Sequence, residues 1–260
     1  MLKGLYTAYS GMINEQHRMD TMTNNLANVT TVGFKKEGAT SQAFRDILTV
    51  KIKDESMGST RIVQPLGYDN PGVKIGENYT DYTQGSFRIT DNTYDLALAG
   101  DGFFVIEYSN KANETSTLFT RNGQFTLTRD GYLVTEDGDY VLDTQNRRIQ
   151  LNTLLESYIS NDGTIYQNDV AVAQIQLTDF ADYDYLEKFG ENYYRLLEGG
   201  QRINADADIK SGYLEMSNVN IVSEMVNLIA ITRQYESNQK IIQSYDESLE
   251  TTVTQLGRLQ

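Results

Sequence analysis

The candidate chemistry in this 260-residue sequence is confined to a few short stretches. Gly100-Asp101-Gly102 has the opening of a dinucleotide-binding loop, in which glycines let backbone amides approach a pyrophosphate at a helix N-terminus. The third glycine position of that pattern holds Val105, and the apolar run Phe103-Phe104-Val105-Ile106 reads as a strand, so phosphates would meet no helix. Asn204, Asp206 and Asp208 have the alternate spacing of calcium-loop oxygens, but Ile209 stands where such a loop needs glycine. Asp179, Asp182, Asp184 and Glu187 could supply paired carboxylates for glycoside hydrolysis. A solvated loop in an acidic body accounts for them with fewer assumptions. There is no cysteine, so thiolate chemistry, disulfides and Cys-His zinc sites are excluded. The single histidine, His17, lies in a helical pattern and reads as a surface or packing residue. Nucleophile elbows, Walker loops and basic-aromatic patches are missing. The residues therefore predict no catalytic centre, no cofactor and no metal.

The elements that would position such groups are more informative. Near the N-terminus Leu5, Met12, Met19 and Leu26 recur every seven residues. Near the C-terminus Ile221, Leu228, Tyr235, Ile242, Leu249 and Leu256 do the same. Such a column lies along one side of an α-helix and seeks a partner helix. The first helix is expected from about Leu2 to Asn28, with Gly4 and Gly11 each costing roughly 1 kcal/mol relative to alanine. It is expected to end near Asn28, a residue tolerant of left-handed geometry, with Gly33 permitting a turn and Phe34 anchoring the next segment. The last helix is expected to start at a Ser217 or Asn218 cap and to run about 40 residues, or about 60 Å. Its second seam row is read as Met225, Thr232, Gln239, Asp246 and Val253, with Ile231, Tyr245 and Leu259 as a flanking row. The helices should pair within one molecule, leaving surplus apolar surface for other subunits.

Between the helices the text is β. Residues 41–75 are ambiguous, with Pro65, Gly67, Pro71 and Gly72 marking a loop. Asp101-Gly102, Asn122-Gly123, Asp130-Gly131, Asp137-Gly138 and Asp162-Gly163 mark tight turns that need positive φ. Their close spacing requires very short strands, hence a meander or irregular barrel.

Charge is uneven along this chain of net charge −14. Residues 1–40 hold four basic and three acidic groups, 41–210 hold 15 and 27, and 211–260 hold three and six. Acidity belongs to the β-rich body, which should repel nucleic acid. No run approaches the roughly 18–20 apolar residues of a membrane span, so the reading is not an integral membrane protein. The first residues are too polar for a cleavable signal peptide.

Several of these stretches carry a resemblance. Asn24-Asn25-Leu26-Ala27-Asn28-Val29-Thr30-Thr31-Val32-Gly33-Phe34-Lys35 resembles the N-terminal signature of bacterial flagellar rod and hook proteins. Ser211-Gly212-Tyr213-Leu214-Glu215-Met216-Ser217-Asn218-Val219-Asn220 is similar to that family's approach to its last helix, and Arg233-Gln234-Tyr235-Glu236 continues the likeness. Asp95 to Val105, Phe119-Thr120-Arg121-Asn122-Gly123 and Gly131-Tyr132-Leu133-Val134-Thr135 match as well. The resemblance is to the flagellar basal-body rod protein family (flagellar hook–basal-body protein, distal or proximal rod type).

It implies a structural subunit that stacks helically into a hollow axial tube and transmits torque. Its partners would be itself, other rod and hook subunits, and the flagellar export apparatus. It would reside in the basal body, outside the cytoplasm, exported without a cleaved signal. The alternative is a secreted β-rich carbohydrate-binding or carbohydrate-active protein with a helical stalk. The fold class expected is α+β, with N- and C-terminal helices packed as a coiled-coil-like pair and an irregular all-β body of short strands and hairpins inserted between them. Expected divisions are 1–35 with 211–260 as an axial core, 36–75 with 205–210 as a connecting segment, and 76–204 as a β-rich outer domain. Assembly residues are the two columns plus Met225, and Asn25, Asn28, Thr30, Gly33 and Phe34 form the turn signature.

Overall fold

The computed structural model describes residues 2–53, 62–109 and 114–257. It is α+β, as expected: a helix at each end and short strands between. Two compact units are present. The first comprises Met1–Leu26, Glu37–Asp81 and Ile221–Gln260; the second comprises Ala27–Lys36 and Tyr82–Asn220. Residues 37–81 thus fold with the terminal helices.

In the first unit α1 (Leu2–Ala27) and α2 (Ile221–Gly257) are antiparallel. A Cβ added at Gly4 would overlap Tyr245 Oη, and one at Gly11 would lie 3.0 Å from Asn238 Nδ2. Seven residues forward on α1 therefore match seven residues back on α2. The helix-weakening glycines make room for bulky partners across the seam, which explains why the sequence tolerates them. This register corrects the second seam row. Met225 and Val253 are 48% and 68% exposed, whereas Glu224 and Ile231 are 1% and 2% exposed. The inner row is Glu224, Ile231, Asn238 and Tyr245, one residue before the row read from sequence. Heptad spacing alone cannot tell a +3 from a +4 step; the partner's glycines decide. Leu259 lies outside the described residues.

The same unit carries a nested double hairpin. β1 (Glu37–Ala43) pairs antiparallel with β4 (Val73–Thr80), and β2 (Ile47–Lys53) with β3 (Ile62–Asp69). Pro71 and Gly72 sit in the expected loop, but Pro65 and Gly67 do not: they lie within β3, opposite Val50 and Thr49. The register shifts there, and a bulge in a two-stranded ladder tolerates a proline that donates no hydrogen bond.

In the second unit β5 (Phe87–Ile89), β6 (Leu96–Gly100), β7 (Phe103–Ser109) and β8 (Thr115–Thr120) lead into a nine-stranded sheet centred on β7. Successive side chains on a strand face opposite ways. Phe104 accordingly joins Phe125, Leu133 and Ile149 on one face, while Phe103 and Val105 join Phe119, Phe180 and Tyr194 on the other. Burial on both faces is why this run is continuously apolar. Strands Phe125–Leu127, Leu133–Thr135 and Tyr140–Val141 form the expected meander. Among the described residues no barrel closes: the strand path ends at Leu186–Phe189 on one side and Phe125–Leu127 on the other. Gly102, Gly131, Gly138 and Gly163 have positive φ as their turns require, but Gly123 does not. There the Leu96 carbonyl occupies the space a side chain would need.

α1 ends at Ala27, next to the expected Asn28, whereas α2 starts later than its expected cap. Asn28 is not left-handed; its carbonyl accepts from the Thr31 amide at 3.2 Å and its Oδ1 from Thr31 Oγ1 at 3.1 Å. α2 starts at Ile221, because the Asn218 side chain is taken: it accepts from the Lys36 amide at 2.7 Å and donates to the Thr83 carbonyl at 3.1 Å.

Gly33 closes the turn with φ of 70°, and a Cβ there would lie 2.5 Å from the Asn122 amide nitrogen. Neither backbone can yield cheaply. Gly138 has φ of 94° with open space around it. Gly138→Ala should cost about 1–2 kcal/mol from backbone strain alone. Gly33→Ala adds the clash and should exceed that by at least about 2 kcal/mol in urea unfolding followed by near-ultraviolet circular dichroism. Equal costs would contradict the close approach.

Candidate assembly site

The signature residues are held by specific contacts in each unit. Asn25, fully buried, mimics a strand: its Oδ1 accepts from the Glu37 amide at 2.9 Å and its Nδ2 donates to the Glu37 carbonyl at 2.7 Å. Phe34 is buried, with Lys188 Nζ 4.2 Å from its ring centroid. Asn28 and Gly33 are buried; Thr30 is exposed.

Next to Phe34 lies a feature that sequence reasoning missed. Glu215, at the end of strand Tyr213–Glu215, is buried between two cations. Lys35 Nζ donates to its Oε1 at 2.6 Å, and Arg121 Nη1 to its Oε2 at 3.4 Å. The Gly85 amide adds a 2.9 Å bond to Oε1. Lys35 also donates to the Thr83 carbonyl at 2.8 Å, and Arg121 to the Gly100 carbonyl at 2.9 Å. The Arg121 guanidinium lies 5.3 Å from the Phe103 ring centroid. The Gly33 amide meanwhile donates to the Glu215 carbonyl at 2.8 Å. Lys35, Arg121 and Glu215 come from three separate motifs of the resemblance. The available signal was a single charged residue in each, two basic and one acidic.

The seam columns divide by exposure. Leu5, Met12, Met19 and Leu26 on α1, and Leu228, Tyr235 and Ile242 on α2, are half-buried. Ile221, Met225 and Leu249 are exposed, and the Leu256 side chain lies outside the described residues. Further apolar side chains stand in solvent on this unit: Tyr6, Tyr9 and Ile13 on α1, and Val222, Val226 and Ile229 on α2. No described helix is long and apolar enough to cross a membrane.

The chemically suggestive residues have structural tasks. Gly100-Asp101-Gly102 joins β6 to β7, strand to strand. Asp179 accepts from the Tyr183 hydroxyl at 2.8 Å, and burial together with that carboxylate pushes the phenol's pKa up. Asp182 caps the 3-10 turn Tyr183–Tyr185, and Glu187 pairs with Arg195. Asn204, Asp206 and Asp208 line an open cleft, and among the described residues no three acidic or histidine side chains are placed to hold a metal. His17, half-buried on α1, accepts through its carbonyl from Thr21 Oγ1.

Comparison with known proteins gives three family matches. A model described as flagella basal body rod protein covers residues 5–35, one described as flagellar hook protein FlgE/F/G D1 domain covers 97–167, and one described as flagellar basal body rod FlgEFG protein C-terminal covers 210–256. The chain is 36% identical to the flagellar basal-body rod protein FlgG of Bacillus subtilis (strain 168), over 97% of this chain and 98% of that one. It is 30% identical to the flagellar hook-basal body complex protein FlhO of the same strain, over 100% of both. It is 32% identical to the flagellar basal-body rod protein FlgF of Rhizobium meliloti (strain 1021), over 99% of both.

The buried charges yield a graded expectation. Glu215→Gln strands two buried cations and should destabilise the second unit by about 3–5 kcal/mol. Lys35→Met leaves Glu215 with Arg121 and the Gly85 amide, and should cost less, about 1–3 kcal/mol. Urea unfolding of the full chain reads both; the reverse order would contradict the assignment of Glu215 as the hub.

Proposed function

Because the chain belongs to the flagellar basal-body rod protein family, we propose that it is a structural subunit of the bacterial flagellar rod, which assembles helically through its terminal helices into a hollow, torque-transmitting axial tube. The observation that carries this reading is the match of rod-family models to both ends of the chain, residues 5–35 and 210–256, where the seam columns lie. Each subunit repeats a head-to-tail contact whose rotation does not close, which makes a tube and not a ring. Apolar surface left exposed on the helices drives it, at about 25 cal/mol per Å².

In this reading residues 1–35 with 211–260 form the axial core, 36–75 with 205–210 the connection to it, and 76–204 the outward-facing domain. The subunit performs no catalysis. It leaves the cytoplasm through the flagellar export apparatus without a cleaved signal, and it contacts other rod and hook subunits in the basal body. The carbohydrate-active alternative is not favoured, since Asp179, Asp182 and Glu187 are each engaged in local structure.

Met12→Asp and Ile242→Asp place a charge on half-buried seam positions of α1 and α2. Each should abolish rod assembly and motility while the subunit is still made; normal swimming in both strains would refute the seam as the assembly element. The helices should also gain order on docking, so helicity in circular dichroism should rise with subunit concentration. Full helicity already in the dilute monomer would contradict that coupling.

A further inference from the structure

Two apolar surfaces on the first unit are unexplained by folding alone. The first is a groove of about 490 Å³ lined by Tyr6, Tyr9 and Ile13 of α1 with Phe44 and Ile75 of the hairpin arm. The second is a ridge on α2: Val222, Met225, Val226 and Ile229 stand exposed at the i, i+3, i+4, i+7 spacing of a helix that docks in a groove. Residues 4–14 contain no charge, and residues 221–232 contain only Glu224, which is buried. Lys74, on the arm side of the groove, has the sign opposite to the chain's net charge of −14. Two copies this acidic can approach closely only where negative charge is missing. Groove and ridge are such places.

Their positions prevent one molecule from seating its own ridge in its own groove. Gly4 and Gly11 face Tyr245 and Asn238, so the α1 side of the groove lies level with the middle of α2. The ridge sits at the opposite end of the helix pair, on the order of 20 Å away. A contact between the two surfaces must therefore join different copies, and repeated head to tail it leaves a free groove at one end and a free ridge at the other. That is the geometry of an open filament. The exposed side chains of groove and ridge bury less than the roughly 1,200 Å² a stable isolated dimer needs, which suits one of several joints repeated along a polymer better than a free-standing dimer.

We propose that the α1–arm groove of one copy receives the Val222–Ile229 ridge of a second copy of this chain. The inference rests on the rod reading and adds to it which surface meets which. The test replaces exposed Tyr9 in the full chain with the photo-crosslinking residue p-benzoylphenylalanine, with a control substitution at exposed Val172, and irradiates cells and then purified basal bodies. The expected result is a covalent dimer at twice the 29.4 kDa subunit mass, at least tenfold above the control, whose cross-link maps to the tryptic peptide 211–233. Val226→Glu in the same background should reduce that product at least tenfold. Cross-linking to another protein, or to another region of this chain, overturns the proposal, as does no dimer from subunits found in basal bodies; each leaves the rod reading intact. Absence of the wild-type chain from purified basal bodies overturns the rod reading, and this proposal with it.

Discussion

The carboxylate of Glu215, held out of water between Lys35 and Arg121, ties together three segments up to 180 positions apart in sequence. Desolvating these three groups costs several kcal/mol per ion. Only the full set of contacts, including the Gly85 amide and the Thr83 and Gly100 carbonyls, offsets that cost. A buried ion cluster of this kind is a poor source of net stability but a strong discriminator of geometry. It forms only when the segment after α1, the strand before α2 and the turn after β8 arrive together. Gly33 enforces the same closeness from the backbone side, since a side chain there would displace Arg121 and Asn122. The consequence is that, within the second unit, the residues that follow α1 and those that precede α2 are held side by side. A subunit whose two ends must be presented as a pair needs such a constraint.

The first unit solves a different problem. Its helices hold together through a seam rich in compromise: glycines opposite Tyr245 and Asn238, and a buried Glu224. Such a seam is weaker than an unbroken apolar one. Apolar side chains that would strengthen it point outward instead, at Val222, Val226, Ile229 and Val253. Residues that could have strengthened the monomer's seam are thus left exposed on its surface. The acidic charge is concentrated in residues 41–210, whereas residues 221–232 carry only the buried Glu224.

Much of this was legible in the sequence, for physical reasons that can be named. The helix positions followed from seven-residue periodicity, and the doubly buried β7 from the unbroken run Phe103-Phe104-Val105-Ile106. The Asp-Gly turns followed from the need for positive φ. What escaped was set by tertiary partners. The choice between Met225 and Glu224 as a seam residue depends on glycines more than 200 positions away. Pro65 reads as a loop residue until a bulge opposite Thr49 and Val50 gives it a place in a strand. Asn218 reads as a helix cap until Lys36 and Thr83 claim its side chain. The buried cluster was hidden because charged residues are by default exposed; Lys35, Arg121 and Glu215 looked like ordinary members of their motifs.

Assembly of this kind requires apolar surface of the two terminal helices to be covered by neighbouring copies. The most direct measurement is a cryo-electron microscopy map of isolated basal bodies at side-chain resolution, with this chain located by a tag in residues 76–204. The expected map has α1 and α2 in the inner wall, with Tyr6, Tyr9, Val226 and Leu249 each within about 4 Å of another subunit. A map in which those side chains face bulk solvent and the subunits touch only through residues 82–215 would contradict it.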